Sequence, residues 1–187
     1  MTRRDFLGGG VALAAAQVFA NGEDASISNP GIPQRSIPVV PAGAGGFSAF
    51  RSRCIGCQLC VKACPEKVLR VSDRLGRFPL PVMGFEHGYC RPACTRCADA
   101  CPSGAIAKLS EEEKLRTPIG RASWHRERCV AAREKIRCTA CERHCPTKAI
   151  VLVDGIPVLD SIKCIGCGAC ENLCPARPLP AITIDGI

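Results

Sequence analysis

Apolar residues in this chain come in short bursts. Val68-Leu69-Arg70-Val71, Ala105-Ile106-Ala107, Ala149-Ile150-Val151-Leu152-Val153 and Ala181-Ile182-Thr183-Ile184 each suffice for one short strand. A matching apolar segment stands ahead of three of the units, at Phe78-Pro79-Leu80-Pro81-Val82, Ala122-Ser123-Trp124 and Ile156-Pro157-Val158-Leu159. Asp154-Gly155 falls between two such segments and predicts a tight hairpin turn. Each strand of the first set follows a Cys-Pro pair after a gap that fits one helical turn. Ser110-Glu111-Glu112-Glu113-Lys114-Leu115 predicts a capped helical turn with a solvated face, linking two units. The unit recurs four times between about Phe47 and Ile187, so the expectation is an internally repeated α+β fold of low regular secondary structure.

Two stretches precede that body. Residues 1–20 open with Thr2-Arg3-Arg4-Asp5-Phe6-Leu7, and a weakly apolar stretch follows from Gly8 to Phe19. Arg3 and Arg4 mark a twin-arginine export signal, with cleavage expected after Ala20, or alternatively at Ala16. The stretch is short and rich in Gly and Ala for a membrane span, so the chain is expected to be periplasmic and peripheral to the membrane. An uncleaved signal is the other way it would be held there. Twin-arginine export moves proteins already folded, which suits a cofactor inserted before crossing. Residues 21–46 carry Pro30, Pro33, Pro38 and Pro41, then Gly43, Gly45 and Gly46, and read as a linker, or as an extended segment lying along the body or a partner. Phe47 and Phe50 mark where packing begins.

Composition changes the picture of the core. Of 187 residues only 4% are aromatic, with one Trp and one Tyr, while 16 are Cys. Every cysteine falls into one of four runs. Cys54-x2-Cys57-x2-Cys60-x3-Cys64-Pro65 and Cys164-x2-Cys167-x2-Cys170-x3-Cys174-Pro175 share one spacing. Cys90-x3-Cys94-x2-Cys97-x3-Cys101-Pro102 widens the first gap by one residue, and Cys129-x8-Cys138-x2-Cys141-x3-Cys145-Pro146 opens it into a loop. The spacing C-x2-C-x2-C-x3-C-P is that of bacterial [4Fe–4S] sites, in which three cysteines hold one cluster and the fourth serves another. A disulfide framework does not call for triplets that end in Cys-Pro. Zinc sites pair C-x2-C units across a long spacer, and no such pairing uses all these cysteines. A thioredoxin-like βαβ context for C-x-x-C chemistry is absent. Clusters would replace the missing core and staple the fold.

The net charge of +8 invites a nucleic-acid reading. Four oxidised clusters with their thiolates would carry about −8 together and nearly cancel it. The basic residues then read as counter-charges and docking groups, and no nucleic-acid module is legible. His144 adjoins Cys145, but that run already supplies four thiolates; His87 and His125 read as surface or loop residues. Trp124 reads as packing against a cluster, with an electron stepping point as the alternative. Backbone N–H groups around Ile55-Gly56, Ile165-Gly166 and Gly168 are candidate donors to cluster sulfur, or simple turn geometry. No catalytic constellation, phosphate loop or flavin motif appears, so the expectation is an electron carrier, not an enzyme.

The order of these features resembles the ferredoxin-type NapG/MauM family, the polyferredoxins of periplasmic nitrate reductase and methylamine utilisation. The resemblance is carried by Arg3-Arg4, the Pro/Gly segment ending in Phe47, Cys97-Ala98-Asp99-Ala100-Cys101-Pro102-Ser103-Gly104-Ala105-Ile106, Ile119-Gly120-Arg121-Ala122, and the wide gap before Arg137-Cys138-Thr139-Ala140-Cys141-Glu142-Arg143-His144-Cys145-Pro146. The Cys90-x3-Cys94 spacing departs from the family's usual pattern. The resemblance implies two ferredoxin-like bis-[4Fe–4S] modules. It further implies electron relay from a membrane-bound ferredoxin-type quinol oxidase to a periplasmic reductase. The alternatives are an iron–sulfur subunit of an exported molybdoenzyme complex and a non-redox scaffold with structural clusters. Resemblance to multi-cluster electron-transfer subunits also favours a nested grouping: Cys54, Cys57, Cys60 with Cys174; Cys164, Cys167, Cys170 with Cys64; Cys90, Cys94, Cys97 with Cys145; and Cys129, Cys138, Cys141 with Cys101. The modules would then be 47–82 with 154–187, and 83–153. Sequential grouping, first run with second and third with fourth, is the alternative.

Overall fold

The structure is a computed structural model that describes residues 30–187. The expected export signal, with Arg3 and Arg4, lies outside the described residues, as does the start of the proline-rich segment. In chain order the elements are α1 (Phe47–Arg53), α2 (Leu59–Ala63), β1 (Leu69–Val71), β2 (Pro81–Met83), α3 (Arg96–Asp99), α4 (Glu111–Arg116), β3 (Gly120–Trp124), α5 (Val130–Glu134), α6 (Ala140–Arg143), β4 (Ile150–Val153), β5 (Ile156–Leu159), α7 (Ala169–Asn172) and β6 (Ile182–Gly186). The helices are one or two turns and the strands three to five residues, so local structure is held by its surroundings and not by its own length.

All three sheets are antiparallel pairs: β1 with β2, β4 with β5, and β3 with β6. The strand after the first cysteine run therefore pairs with the strand before the second, Leu69 opposite Met83. The strand after the third run pairs with the strand before the fourth, Ile150 opposite Leu159. Asp154 and Gly155 close that hairpin with φ of 51° and 77°, the two positive values a primed turn requires. β3 and β6 then bracket the second half of the chain, with Trp124 opposite Ile182. The result is two successive modules, runs one and two in the first and runs three and four in the second. The nested division, 47–82 with 154–187 around 83–153, is not what forms. A hairpin brings neighbouring runs together across a short loop, whereas nesting closes a loop of about a hundred residues at greater entropic cost.

Ala105-Ile106-Ala107 does not form the expected strand. Ala105 and Ile106 are buried, and the Ala107 N–H donates to the Gly43 carbonyl at 3.0 Å. The partner is the proline-rich segment, which in the first module stands where β3 stands in the second. That segment is no free linker. Val39, Val40, Ala42 and Ala44 are buried in the main core with Phe50, Val68, Leu69, Met83, Phe85, Ile106, Ile119, Ile150, Ile182 and Ile184. Its backbone touches both modules: Met83 N–H donates to the Val39 carbonyl at 2.8 Å, and Gly186 N–H to the Ile37 carbonyl at 2.9 Å. Prolines hold a strap extended and remove donors that would otherwise go unpaired, so Pro and Gly here specify an extended path and not disorder.

A buried ion pair locks the strap. The Arg35 guanidinium grips the Glu171 carboxylate, Nη2 to Oε1 at 2.6 Å and Nη1 to Oε2 at 3.2 Å, with the two side chains 9% and 3% exposed. Arg35 also donates to the Ile184 carbonyl and lies over the Phe85 ring, 5.2 Å from its centre. Glu171 accepts the Ile184 N–H at 2.7 Å. Burial pushes the Glu171 carboxyl above its ordinary value, and Arg35 and the Ile184 N–H pull against it. One pair thus fastens the strap to α7, to β6 and to an aromatic ring of the first module.

Candidate metal centres

Each run uses the same local device. The third and fourth cysteines are four residues apart, one helical turn, and a short helix fills the gap: α2 before Cys64, α3 before Cys101, α6 before Cys145, α7 before Cys174. The helical turn expected after Cys-Pro is therefore inside the run. The proline has no N–H to continue the helix, and Lys67 and Lys148, each three residues past a fourth cysteine, take left-handed φ of 52° and 53° to swing into β1 and β4.

Helix pairing decides which cysteines meet. α2 packs on α3, and α6 packs on α7. Cys60 is coupled electrostatically to Cys54, Cys57 and Cys101. Cys90 is coupled to Cys94 and to Cys64, and Cys97 to Cys90 and Cys94. Cys170 is coupled to Cys167, Cys164 and Cys145. Cys141 is coupled to Cys138 and Cys129, and Cys129 forms a small buried cluster with Ala176, Ala181 and the partly buried Cys174. Proximity places Cys101 with Cys54, Cys57 and Cys60; Cys64 with Cys90, Cys94 and Cys97; Cys145 with Cys164, Cys167 and Cys170; and Cys174 with Cys129, Cys138 and Cys141, four quartets of neighbouring thiols. The nested grouping expects other neighbours; the β1–β2 and β4–β5 hairpins bring each fourth cysteine beside the adjacent run instead.

None of the sixteen cysteines is joined in a disulfide. Burial pushes Cys60, Cys141 and Cys167 up to about 11 and Cys97 up to about 12, and neighbouring cysteines add to it. Cys170 too is raised well above its ordinary value, by burial and then by Cys167 and Cys164. Groups of thiols in an apolar interior cannot ionise together unless a cation sits among them, and iron supplies one. Backbone donors are already aimed at sulfur. Gly56 N–H reaches Cys54 Sγ at 3.4 Å, Ala149 N–H reaches Cys145 at 3.2 Å, and Ala181 N–H reaches Cys174 at 3.2 Å. Gly168 serves a different end. With φ at +83°, a Cβ there would meet the Phe85 ring at 2.1 Å, so its smallness lets the first module seat Phe85 against the fourth run.

Among the described residues, no three His, Cys, Asp or Glu side chains converge on a point suited to a single metal ion. Trp124 packs beside Cys129 and Cys174, and its indole N–H is buried with no protein acceptor. A buried donor left open next to four thiols fits a site meant to hold inorganic sulfide. His144 Nδ1 contacts the Ala140 carbonyl at 2.8 Å, and His125 Nε2 contacts Thr183 Oγ1 at 2.8 Å. His87 is exposed.

The modules meet at the second and fourth runs. Cys90 N–H donates to the Cys167 carbonyl at 2.9 Å, and Tyr89 and Cys90 pack on Ile165, Cys167 and Ala169. The second and fourth runs are therefore neighbours across the junction. One residue beside the second run was not legible in the sequence. Ser110 and Glu113 form the expected capping box at α4, but Lys114 on that turn is only 6% exposed and points into the second quartet. The signal available was the extra residue in Cys90-x3-Cys94, which enlarges the loop whose carbonyls Lys114 meets.

Comparison with known proteins agrees with this architecture. The 4Fe-4S dicluster domain family matches twice, over residues 53–105 and 134–177, one match to each module. The methylamine utilization ferredoxin-type protein MauM of Methylorubrum extorquens is 31% identical over 180 residues, which are 88% of this chain and 80% of that protein. This chain belongs to the NapG/MauM-like ferredoxin family. The ferredoxin-type protein NapG of Haemophilus influenzae is 31% identical over 140 residues, 70% of this chain and 47% of that protein. The ferredoxin-type protein NapF of Escherichia coli K12 is 29% identical over 132 residues, 67% of this chain and 73% of that protein. As a family member the chain is a ferredoxin-type [4Fe–4S] electron-transfer protein. Among the described residues, no helix is long and apolar enough to cross a membrane.

Proposed function

We propose that this chain carries four [4Fe–4S] clusters, one per quartet, and is exported folded to the periplasm. There it relays electrons from a membrane-bound quinol-oxidising partner to a periplasmic reductase. When bound, the clusters supply reversible one-electron storage. The protein's residues hold them in order, exclude water and present N–H groups to sulfur. The observation that carries the reading is the contact of the second and fourth cysteine runs at Cys90 and Cys167, which supports an unbroken path between the two modules. Direction and partners rest on the family resemblance alone, since the relatives are named only as ferredoxin-type proteins, one of them of methylamine utilization, and export rests on Arg3-Arg4.

Iron and sulfide assay of anaerobically purified protein tests the count, with about sixteen irons per chain expected from four cubanes. Cys64→Ser should perturb the same paramagnetic centre as Cys94→Ser and leave the centre perturbed by Cys164→Ser unchanged. Two clusters per chain, or coupling of Cys64→Ser to the Cys164 set, would sink it. Replacing Arg3 and Arg4 by Lys should strand the protein in the cytoplasm.

A further inference from the structure

Lys114 is a buried cation with an unusual address. Its Nζ donates to the Arg91 carbonyl at 2.7 Å and to the Cys94 carbonyl, both inside the loop of the second quartet. It also acts on the Cys90 thiol through charge and a side-chain hydrogen bond, and on Cys97 through charge. These contacts use its three donors, and none goes to a carboxylate. The capping box at Ser110 and Glu113 fixes the turn that presents it. Across the junction the carboxylate next to Cys170 of the third quartet, Glu171, is matched by Arg35, so the charge there is balanced within the pair.

We propose that Lys114 is a redox-positioning residue that sets the centre held by Cys90, Cys94, Cys97 and Cys64 at a higher potential than its neighbour held by Cys164, Cys167, Cys170 and Cys145. The inference rests on the four-cluster reading above. Reduction adds one negative charge to a cluster, and a fixed positive charge in a dry loop favours the more negative state. One electron therefore leaves the Cys164 set and is gained by the Cys90 set, with no other reactant needed. The extra residue between Cys90 and Cys94 fits this role, since it opens the two carbonyls that seat the ammonium. A purely structural lysine would satisfy the same carbonyls but would leave the order of potentials alone.

The test is a redox titration of the whole protein followed by electron paramagnetic resonance, comparing wild type with Lys114→Met and Lys114→Gln. Both variants should lower electron occupancy of the Cys90 centre about tenfold at a given potential, a shift of about 59 mV for one electron, with the other three centres within error. Glutamine keeps a hydrogen-bond donor, so rescue of the potential by Gln but not Met would overturn the charge assignment. Unchanged potentials with full iron content would also overturn it, while leaving the four-cluster reading intact. Lack of iron at the Cys90 set in wild type would defeat both. To cover a variant that loses its cluster, wild-type protein reduced by one electron equivalent is a second measurement. Paramagnetic shifts should fall on the β-protons of Cys64, Cys90, Cys94 and Cys97 before those of Cys145 and Cys167, and the reverse order refutes the proposal.

Discussion

Arg35→Leu is the most informative single perturbation, because one side chain holds the strap against both modules. The substitution removes two hydrogen bonds to Glu171, one to the Ile184 carbonyl and the stacking on Phe85. It strands a carboxylate whose side chain is 3% exposed. Removing one partner of a buried pair costs about 3–5 kcal/mol. If that loss falls on unfolding, the unfolding rate rises by a hundredfold or more, at about tenfold per 1.36 kcal/mol. Cluster-bearing proteins seldom unfold reversibly, so the assay is a rate: loss of visible cluster absorbance in moderate guanidinium with an iron chelator. Glu171 also makes the loss depend on pH. Its folded-state value is raised by burial, and without Arg35 it rises further. The unfolded chain then releases that proton first as pH increases, so the penalty grows from the ordinary glutamate value of 4.5 upward until the folded value is passed. Adding Glu171→Gln to Arg35→Leu removes the stranded charge but keeps an acceptor for the Ile184 N–H, so it should recover most of the lost lifetime. Wild-type bleaching rates for Arg35→Leu, or a double variant worse than the single, would refute the reasoning.

Three further outcomes are expected. Gly168→Ala forces a Cβ into the Phe85 ring at a left-handed φ, costing about 1–2 kcal/mol of backbone strain and about 1–3 kcal/mol of overpacking; its melting temperature should fall, and Phe85→Leu should restore part of the drop. Stripping iron under reducing conditions should abolish the fold, because the thiols that line the interior lose their cation; circular dichroism unchanged after chelation would contradict this. Ser110→Ala removes the side-chain acceptor for Glu113 N–H, 3.2 Å away, and should cost about 1 kcal/mol, seen as faster amide exchange confined to α4.

The cysteine spacing by itself determined the ligands, the local loop and the repeat, because four thiols around a cubane leave a chain few ways to run. The strand segments were legible for the same reason at β1, β4 and β6, where apolar bursts sit between turn residues, and the Asp154-Gly155 hairpin followed from residue type alone. Which runs lie side by side was decided only in three dimensions. Spacing is identical in the first and fourth runs, but the short β1–β2 and β4–β5 hairpins bring adjacent runs together, and loop closure favours that over nesting. Residue types left the strap open between a linker and a segment lying along the body, because Pro and Gly describe an extended backbone equally well in both. Lys114 and Arg35 look like solvated charges in one dimension. Their roles exist only where carbonyls of Arg91 and Cys94, or the carboxylate of Glu171, arrive from 23 and 20 residues or from 136 residues away. Sequence sets what a residue can do; packing decides what it meets.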